Sequence, residues 1–206
     1  MTGLLFGMML VAGTADAADG RAAAREQRAL EADLTRHAQR LSWPAVDDTY
    51  RRLMALERTL SDGDHVLGAR AALHAGDAML AWERLQRIEA DDPEARGLTT
   101  SLQARYGFVE ITVPGDRAPV LSRPHLPFHK HERAAVRVAV TQVAEARGYR
   151  GLLPEGVYVL DGMRFQVVPD WPAWKVVVAG DASTGDPEAR APVIPMIPRP
   201  TTGDAD

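Results

Sequence analysis

Apolar positions in the first half of the chain recur at helical spacing. Residues 20–40 are rich in Ala, Arg, Glu and Gln, which are strong helix formers. Trp43-Pro44 ends this predicted helix, because a residue that precedes proline is disfavoured in helical geometry. A second helix is predicted over 44–60, and a pair of shorter amphipathic helices over 65–93. Gly76 can end the first helix of the pair in left-handed geometry, and Asp77 can cap the second. The apolar stripe of the first helix consists of Leu30, Leu34, Ala38 and Leu41.

After Tyr106 the apolar positions recur at every second residue, which predicts strands. Residues 108–113 alternate and end at a Pro-Gly turn. Two further runs, 157–160 and 163–167, flank Asp161-Gly162, a pair that favours a hairpin because both turn residues need positive φ. Residues 174–178 predict a last strand.

Residues 133–141 are ambiguous between strand and helix. Val136, Val138 and Val140 stand at spacing two, and valine is stiff at χ1, so the pattern predicts a strand. A helix through the same residues is the alternative, since alanine is frequent there.

These elements predict an α+β protein with helices first and a small antiparallel β-sandwich second. The expected divisions are a signal peptide at 1–17, a helical domain at 18–105 and a β-sandwich at 106–179. Residues 180–206 are rich in Asp, Ser, Thr, Gly and Pro, and cannot bury a core. They are expected to be a disordered tail, either inert or carrying a short docking peptide.

The helix pair within 65–93 resembles a tetratricopeptide repeat. Small residues at Ala69, Ala72 and Ala81 let two helices approach closely. The resemblance implies stacked helix pairs that bind other proteins, while an unrelated small helical bundle is the alternative. The positions that match the repeat are Gly76, Ala81, Leu85 and Pro93, with Ile88 in place of the usual small residue.

A second resemblance lies in the sequence LPEGVY at 153–158. It is similar to the turn and strand of small envelope β-sandwiches of the PEGA and carboxypeptidase-regulatory-like type. Gly148-Tyr149 precedes this turn here, whereas the PEGA pattern would place it afterwards. The resemblance implies an accessory or tethering module and not a catalytic one.

Composition narrows the function classes. The net charge of the 206 residues is −4, so there is no overall cationic field to attract nucleic acid. The absence of cysteine excludes disulfides, a thiol nucleophile and a Cys-ligated zinc. The sequence contains no nucleophile elbow and no phosphate-binding loop, so no motif supports a hydrolase. We therefore expect a protein that is not an enzyme and has no catalytic residues.

The N-terminus indicates export. Residues 4–13 form an apolar run of signal-peptide length, too short to span a bilayer, and Ala15-Asp16-Ala17 offers a cleavage site before Ala18. No Lys or Arg precedes the run, so an ordinary buried helix is the alternative. We therefore expect a periplasmic or secreted bacterial protein without an integral membrane span.

Three histidines between 125 and 131 are candidate metal ligands. His125, His129 and His131 could bind Zn²⁺ or Cu²⁺, and on a strand His129 and His131 would share one face. Lys130 between them disfavours a cation, and a His-rich solvated linker is the alternative. A periplasmic metal-binding protein is thus the second functional hypothesis.

The leading hypothesis is a scaffold that binds another envelope protein, without a cofactor. Exposed arginines on the helices or an aromatic pair in the β-half would contact the partner. Core or inter-domain packing is the alternative for the tryptophans. The candidate protein-binding residues are Arg51, Arg52, Arg84, Arg87, Trp171 and Trp174.

Overall fold

The chain is helical first and mixed afterwards. A computed structural model describes residues 12–89 and 91–179. Its helices are α1 (Ala12–Gln39), α2 (Trp43–Ala55), α3 (Asp62–Ala75), α4 (Ala78–Leu85), α5 (Pro93–Arg105) and α6 (Lys130–Ala146). Its strands are β1 (Tyr106–Thr112), β2 (Leu121–Ser122), β3 (Gly148–Pro154), β4 (Gly156–Leu160), β5 (Met163–Val167) and β6 (Trp174–Val178). The predicted α+β class is confirmed.

The strands form two three-stranded sheets. In the first sheet β1 lies between β3 and β6, antiparallel to β3 and parallel to β6. In the second sheet β4 lies between β2 and β5, and both pairs are antiparallel. The prediction that the whole β-half is antiparallel is wrong for β6. A parallel pair needs a long crossover, and here α6 and four strands intervene between β1 and β6, which strand periodicity does not encode.

The predicted strand at 133–141 is wrong, because these residues belong to helix α6. Val136, Ala139 and Val143 are buried at spacings of three and four, which is the period of one helix face. Val138 and Val140 are only partly buried, so the alternation of valines does not match the burial. The alanine content favours the helix, and its apolar face packs into the core between the two sheets.

Local turn and capping predictions are confirmed. Gly76 ends α3 in the left-handed conformation, with φ of 91°, and the Asp77 side chain accepts a hydrogen bond from the backbone N–H of Leu80 at the start of α4. Asp161 and Gly162 have φ of 49° and 87° between the paired strands β4 and β5. These features depend on residues close in sequence, so the sequence was sufficient to locate them.

Three clusters of buried side chains connect the elements. One joins α1 and α2 through residues such as Leu34 and Leu53. The second contains Leu85 and Leu102 of the helices together with Phe108 of β1 and Leu152 of β3. The third joins both sheets and α6. The second cluster therefore crosses the boundary between helical and β-rich halves at residue 105.

No helix in the described ranges is both long enough and apolar enough to cross a bilayer. Residues 1–11 of the expected signal peptide lie outside the described residues, and its last six residues begin α1. The expected tail at 180–206 also lies outside them.

Candidate functional site

The arginines expected to bind a partner do not share one environment. Arg51 and Arg52 are exposed on α2, and Arg51 forms an ion pair with Asp47 at 3.1 Å. Arg87 is exposed after the end of α4, where its Nη1 lies 3.6 Å from Met54 Sδ. These three side chains remain accessible.

Arg84 is buried, so its assignment to a binding surface is corrected. Its side chain is 4% exposed. Nη1 donates a hydrogen bond to the carbonyl oxygen of Gly68 at 2.7 Å and lies 2.7 Å from Asp47 Oδ1 in an ion pair. The guanidinium carbon lies 4.4 Å from the ring centroid of Tyr50. Arg84 thus joins α2, α3 and α4 from inside.

The two candidate tryptophans pack mainly inside the molecule. Trp171 and Trp174 are partly buried, with ring centroids 4.4 Å and 4.7 Å from that of Phe108. Trp171 Nε1 donates to the carbonyl oxygen of Tyr106 at 2.6 Å. Much of the surface of both tryptophans is therefore in contact with other residues of the chain, as the packing alternative predicts.

The histidine cluster does not have the geometry on which the metal hypothesis depended. His129 is the N-cap of α6 and His131 lies in its first turn, so the two are not on a strand. Their rings are 6.2 Å apart, centroid to centroid, and His125 is exposed in the preceding loop. Within residues 12–89 and 91–179, no group of three or more His, Asp or Glu side chains is arranged to hold a metal ion. The predicted metal site is not supported.

A pocket lies between the helical half and the start of α6, with a volume of about 250 Å³. We call it the α3–α5–α6 pocket, after the helices that supply most of its wall; α2 and β1 each add one residue. One part of the wall is apolar and the other carries charged and hydrogen-bonding groups. The lining residues are Trp43, Arg70, Leu73, His74, Leu98, Ser101, Leu102, Arg105, Tyr106, His131 and Glu132.

Aromatic rings form one wall of this pocket. Trp43 stacks on His74 with centroids 4.4 Å apart and 8° between the ring planes. His131 meets His74 edge-on, with centroids 5.8 Å apart. Burial is the largest cause that lowers the pKa of both histidines. His131 and Lys130 lower the pKa of His74 further, and His129 lowers that of His131, which Glu132 in turn raises. The lowered pKa values therefore disfavour protonation of both imidazoles.

Buried polar groups occupy the other wall. Tyr106 is 3% exposed, and its hydroxyl has no hydrogen-bond partner among the described residues. The same holds for His131 Nδ1. Glu132 is also buried, and its Oε1 lies 3.4 Å from Nη1 of Arg105. Burial raises the pKa of the Tyr106 phenol, so this hydroxyl keeps its proton as a donor.

The loop 123–129, which leads into α6, presents two apolar side chains to solvent. Phe128 is 95% exposed and Leu126 is 63% exposed. The backbone beneath them is fixed, because Pro127 is buried and Arg133 donates hydrogen bonds to the carbonyl oxygens of Pro127, at 3.2 Å, and of Phe128. The loop therefore holds an exposed phenylalanine on an anchored backbone.

Sequence reasoning found only part of this region. It selected His131 for a different reason and did not select His74, Arg105, Tyr106 or Glu132. These residues come from α3, α5, β1 and α6, so no spacing in the sequence connects them. The sequence gives only a weak indication that Phe128 is exposed, since Phe128 lies between Pro127 and His129 in a segment without apolar periodicity.

Comparisons with known proteins identify no relative. No protein-family model matches the chain, and neither a curated protein nor a solved structure matches it.

Proposed function

We propose that this chain is a non-enzymatic, exported protein of the bacterial cell envelope that binds another envelope protein through the 123–129 loop. The observation that carries the proposal is Phe128, 95% exposed on a loop whose backbone is anchored by Arg133. Aromatic side chains that insert into a partner's pocket supply much of the energy of protein interfaces. A fixed backbone also reduces the entropy lost on binding.

The charges around the loop define the partner's chemistry. Residues 123–137 contain four basic residues and one acidic residue, Glu132, which is buried. Of the basic residues, Lys130 and Arg137 are exposed on α6. The partner is therefore a protein with an apolar socket for Phe128 and Leu126 and an acidic rim, since complementary charge at the rim favours association.

The two family resemblances remain part of this proposal. The left-handed Gly76 cap and the buried small residues Ala69, Ala72 and Ala81 support a tetratricopeptide-like pairing of α3 and α4. The tight turn between β3 and β4 lies within the LPEGVY sequence, which supports a PEGA-like β-half. Both families imply binding or tethering modules, in agreement with the loop.

Export is tested by the mature N-terminus. If residues 1–17 are a signal peptide, the protein from the envelope fraction begins at Ala18, which N-terminal sequencing of purified protein determines. An envelope protein that retains Met1 contradicts signal-peptide cleavage.

Photo-crosslinking tests the loop. A benzophenone amino acid at position 128 is expected to capture one defined envelope protein, while the same group at Val157, which is exposed on β4, does not capture it. The captured protein is then purified, and its affinity for the full chain is measured by titration calorimetry. Phe128→Asp is expected to weaken binding about 30-fold or more, as for an interface hot spot.

Matched variants separate the loop from the helical surface. Val157→Asp places the same charge on another exposed apolar residue and is expected to leave affinity unchanged. Arg52→Glu with Arg87→Glu reverses the accessible charges on the helical face, whose role in binding remains a prediction. If this double variant loses binding and Phe128→Asp does not, the helical face and not the loop binds the partner.

A further inference from the structure

The wall of the α3–α5–α6 pocket contains polar atoms without a hydrogen-bond partner among the described residues. Tyr106 Oη and His131 Nδ1 are both buried and both lack a hydrogen-bond partner in residues 12–89 and 91–179. Both residues line the pocket, and only 3% of Tyr106 is exposed. Buried polar atoms in proteins are nearly always paired. Two unpaired atoms on the wall of one cavity indicate that a polar group from a ligand pairs with them.

Hydrogen-bond donors dominate the polar wall. The protonated Tyr106 hydroxyl and the Arg105 guanidinium are donors, and a neutral imidazole at His131 donates from Nδ1 in one of its tautomers. Arg70 is paired with Glu94, which lies outside the lining, and Arg105 Nη1 lies 3.4 Å from Glu132 Oε1. The Arg105 guanidinium has further N–H donors beside the Tyr106 hydroxyl, and a carboxylate forms strong charge-assisted hydrogen bonds with arginine.

The apolar wall defines the body of the ligand. The Trp43–His74 stack gives a flat aromatic surface, and leucines such as Leu98 and Leu102 line the remaining apolar part. A cavity of roughly 150 Å³ is sufficient for benzene. The volume of about 250 Å³ therefore accommodates an aromatic ring together with a carboxylate group.

We propose that the α3–α5–α6 pocket binds a small aromatic monocarboxylate, with the carboxylate at Tyr106 and Arg105 and the ring against the Trp43–His74 stack. The site goes beyond the proposed function, because it requires no partner protein and uses none of the exposed residues of the 123–129 loop.

Titration of the full chain with phenylacetate tests the ligand class. A Kd of about 1 mM or tighter is expected for a ligand of this size. Phenylacetamide has the same shape without the charge, and it is expected to bind about 10-fold more weakly or worse. Calorimetry measures the affinities, and the imidazole NMR signals of His74 and His131 should shift on addition of phenylacetate and stay in place with hexanoate at the same concentration.

Two conservative variants test the polar wall. Tyr106→Phe removes only the unpaired hydroxyl, so it should weaken phenylacetate binding about 5-fold while the thermal midpoint of the ligand-free chain is retained or raised. Arg105→Gln removes the cation and should weaken binding about 10-fold or more. Phe128→Asp, which affects the loop alone, should leave phenylacetate affinity unchanged. Retention of phenylacetate binding in Phe128→Asp therefore separates this site from the protein-binding proposal.

The proposal is overturned if phenylacetate produces no heat and no shift of the histidine signals at about 10 mM, a concentration well above the expected Kd. It is also overturned if phenylacetamide binds as tightly as phenylacetate, since the carboxylate would then have no role. Equal affinity of Tyr106→Phe and the unmodified chain would show that the buried hydroxyl does not contact the ligand.

Discussion

Arg84 stabilises three helices with one guanidinium group. It is buried among Gly68 of α3 and Asp47 and Tyr50 of α2, with the contacts described above. Arg84→Ala removes the cation from the Gly68 carbonyl and from Oδ1 of Asp47, while Oδ2 of Asp47 keeps its ion pair with Arg51. We expect a loss of about 3 kcal/mol in the free energy of unfolding, the usual result of removing one member of a buried ion pair.

Urea denaturation of Arg84→Ala and of the unmodified chain measures this loss. The matched control is Arg52→Ala, an exposed arginine on α2, which should change stability by less than about 0.5 kcal/mol. If the two variants are equally stable, Arg84 does not have the buried structural role assigned to it.

Three histidines make stability depend on pH. Burial is the largest cause of the lowered pKa values of His65, His74 and His131. A lowered folded-state pKa means that the unfolded chain binds protons more tightly than the folded chain. The stabilisation is therefore complete above the unfolded pKa of about 6.5 and is lost as the pH falls from there through the folded pKa values.

We expect the thermal midpoint to decrease between about pH 7.5 and about pH 5.5, as measured by scanning calorimetry. The double variant His74→Gln, His131→Gln should show a smaller decrease, because two of the three imidazoles with a lowered pKa are gone. His125→Gln, at an exposed loop position, should keep the full decrease. A double variant with the same pH response as the unmodified chain would contradict the role given to these histidines.

The junction of α3 and α6 depends on a glycine. Gly76 has φ of +91°, and a Cβ at this position would lie 2.5 Å from the carbonyl carbon of Ala134 in α6. Gly76→Ala therefore introduces both backbone strain and a clash between two helices. We expect a loss of about 2 kcal/mol or more, measured by chemical denaturation.

Gly97 provides a control with the opposite sign. It lies within α5, and a Cβ there would meet nothing within 4 Å. Gly97→Ala should raise stability by about 0.5–1 kcal/mol, because alanine favours a helix over glycine. If Gly76→Ala is tolerated as well as Gly97→Ala, α3 and α6 do not approach each other as closely as described.

The two halves of the molecule share a core, which determines how it unfolds. Phe108 of β1 and Leu152 of β3 belong to the same buried cluster as Val66 and Leu85 of the helices. Neither half can lose this cluster alone. We expect one cooperative transition in calorimetry, with equal calorimetric and van't Hoff enthalpies. Phe108→Ala should lower the midpoint of that single transition, whereas two resolved transitions would indicate independently folding halves.

The same shared packing explains why the candidate pocket could not be located in the sequence. The pocket combines Arg105, Tyr106 and Glu132 with histidines from α3 and α6. Arg105 and Tyr106 are adjacent in sequence but belong to a helix and a strand, and Glu132 reaches them only because α6 packs against the helical half. The exposure of Phe128 likewise depends on how Arg133 anchors the loop.

The sequence alone determined the features that depend on neighbouring residues. The buried positions Leu30 and Leu34, the Gly76-Asp77 junction and the Asp161-Gly162 hairpin follow from spacing, capping and turn chemistry within a few positions. Leu41, which is predicted in the same apolar stripe, lies beyond the end of α1 and is 70% exposed, so its prediction is wrong. The tertiary structure decided what those rules leave open. Residues 133–141 form a helix because side chains at spacings of three and four pack into the core. Strand β6 pairs in parallel with β1, which requires the long crossover between them. Arg84 became internal because Asp47, Tyr50 and Gly68 surround it. Each of these outcomes depends on contacts between residues distant in the chain, which local periodicity does not contain.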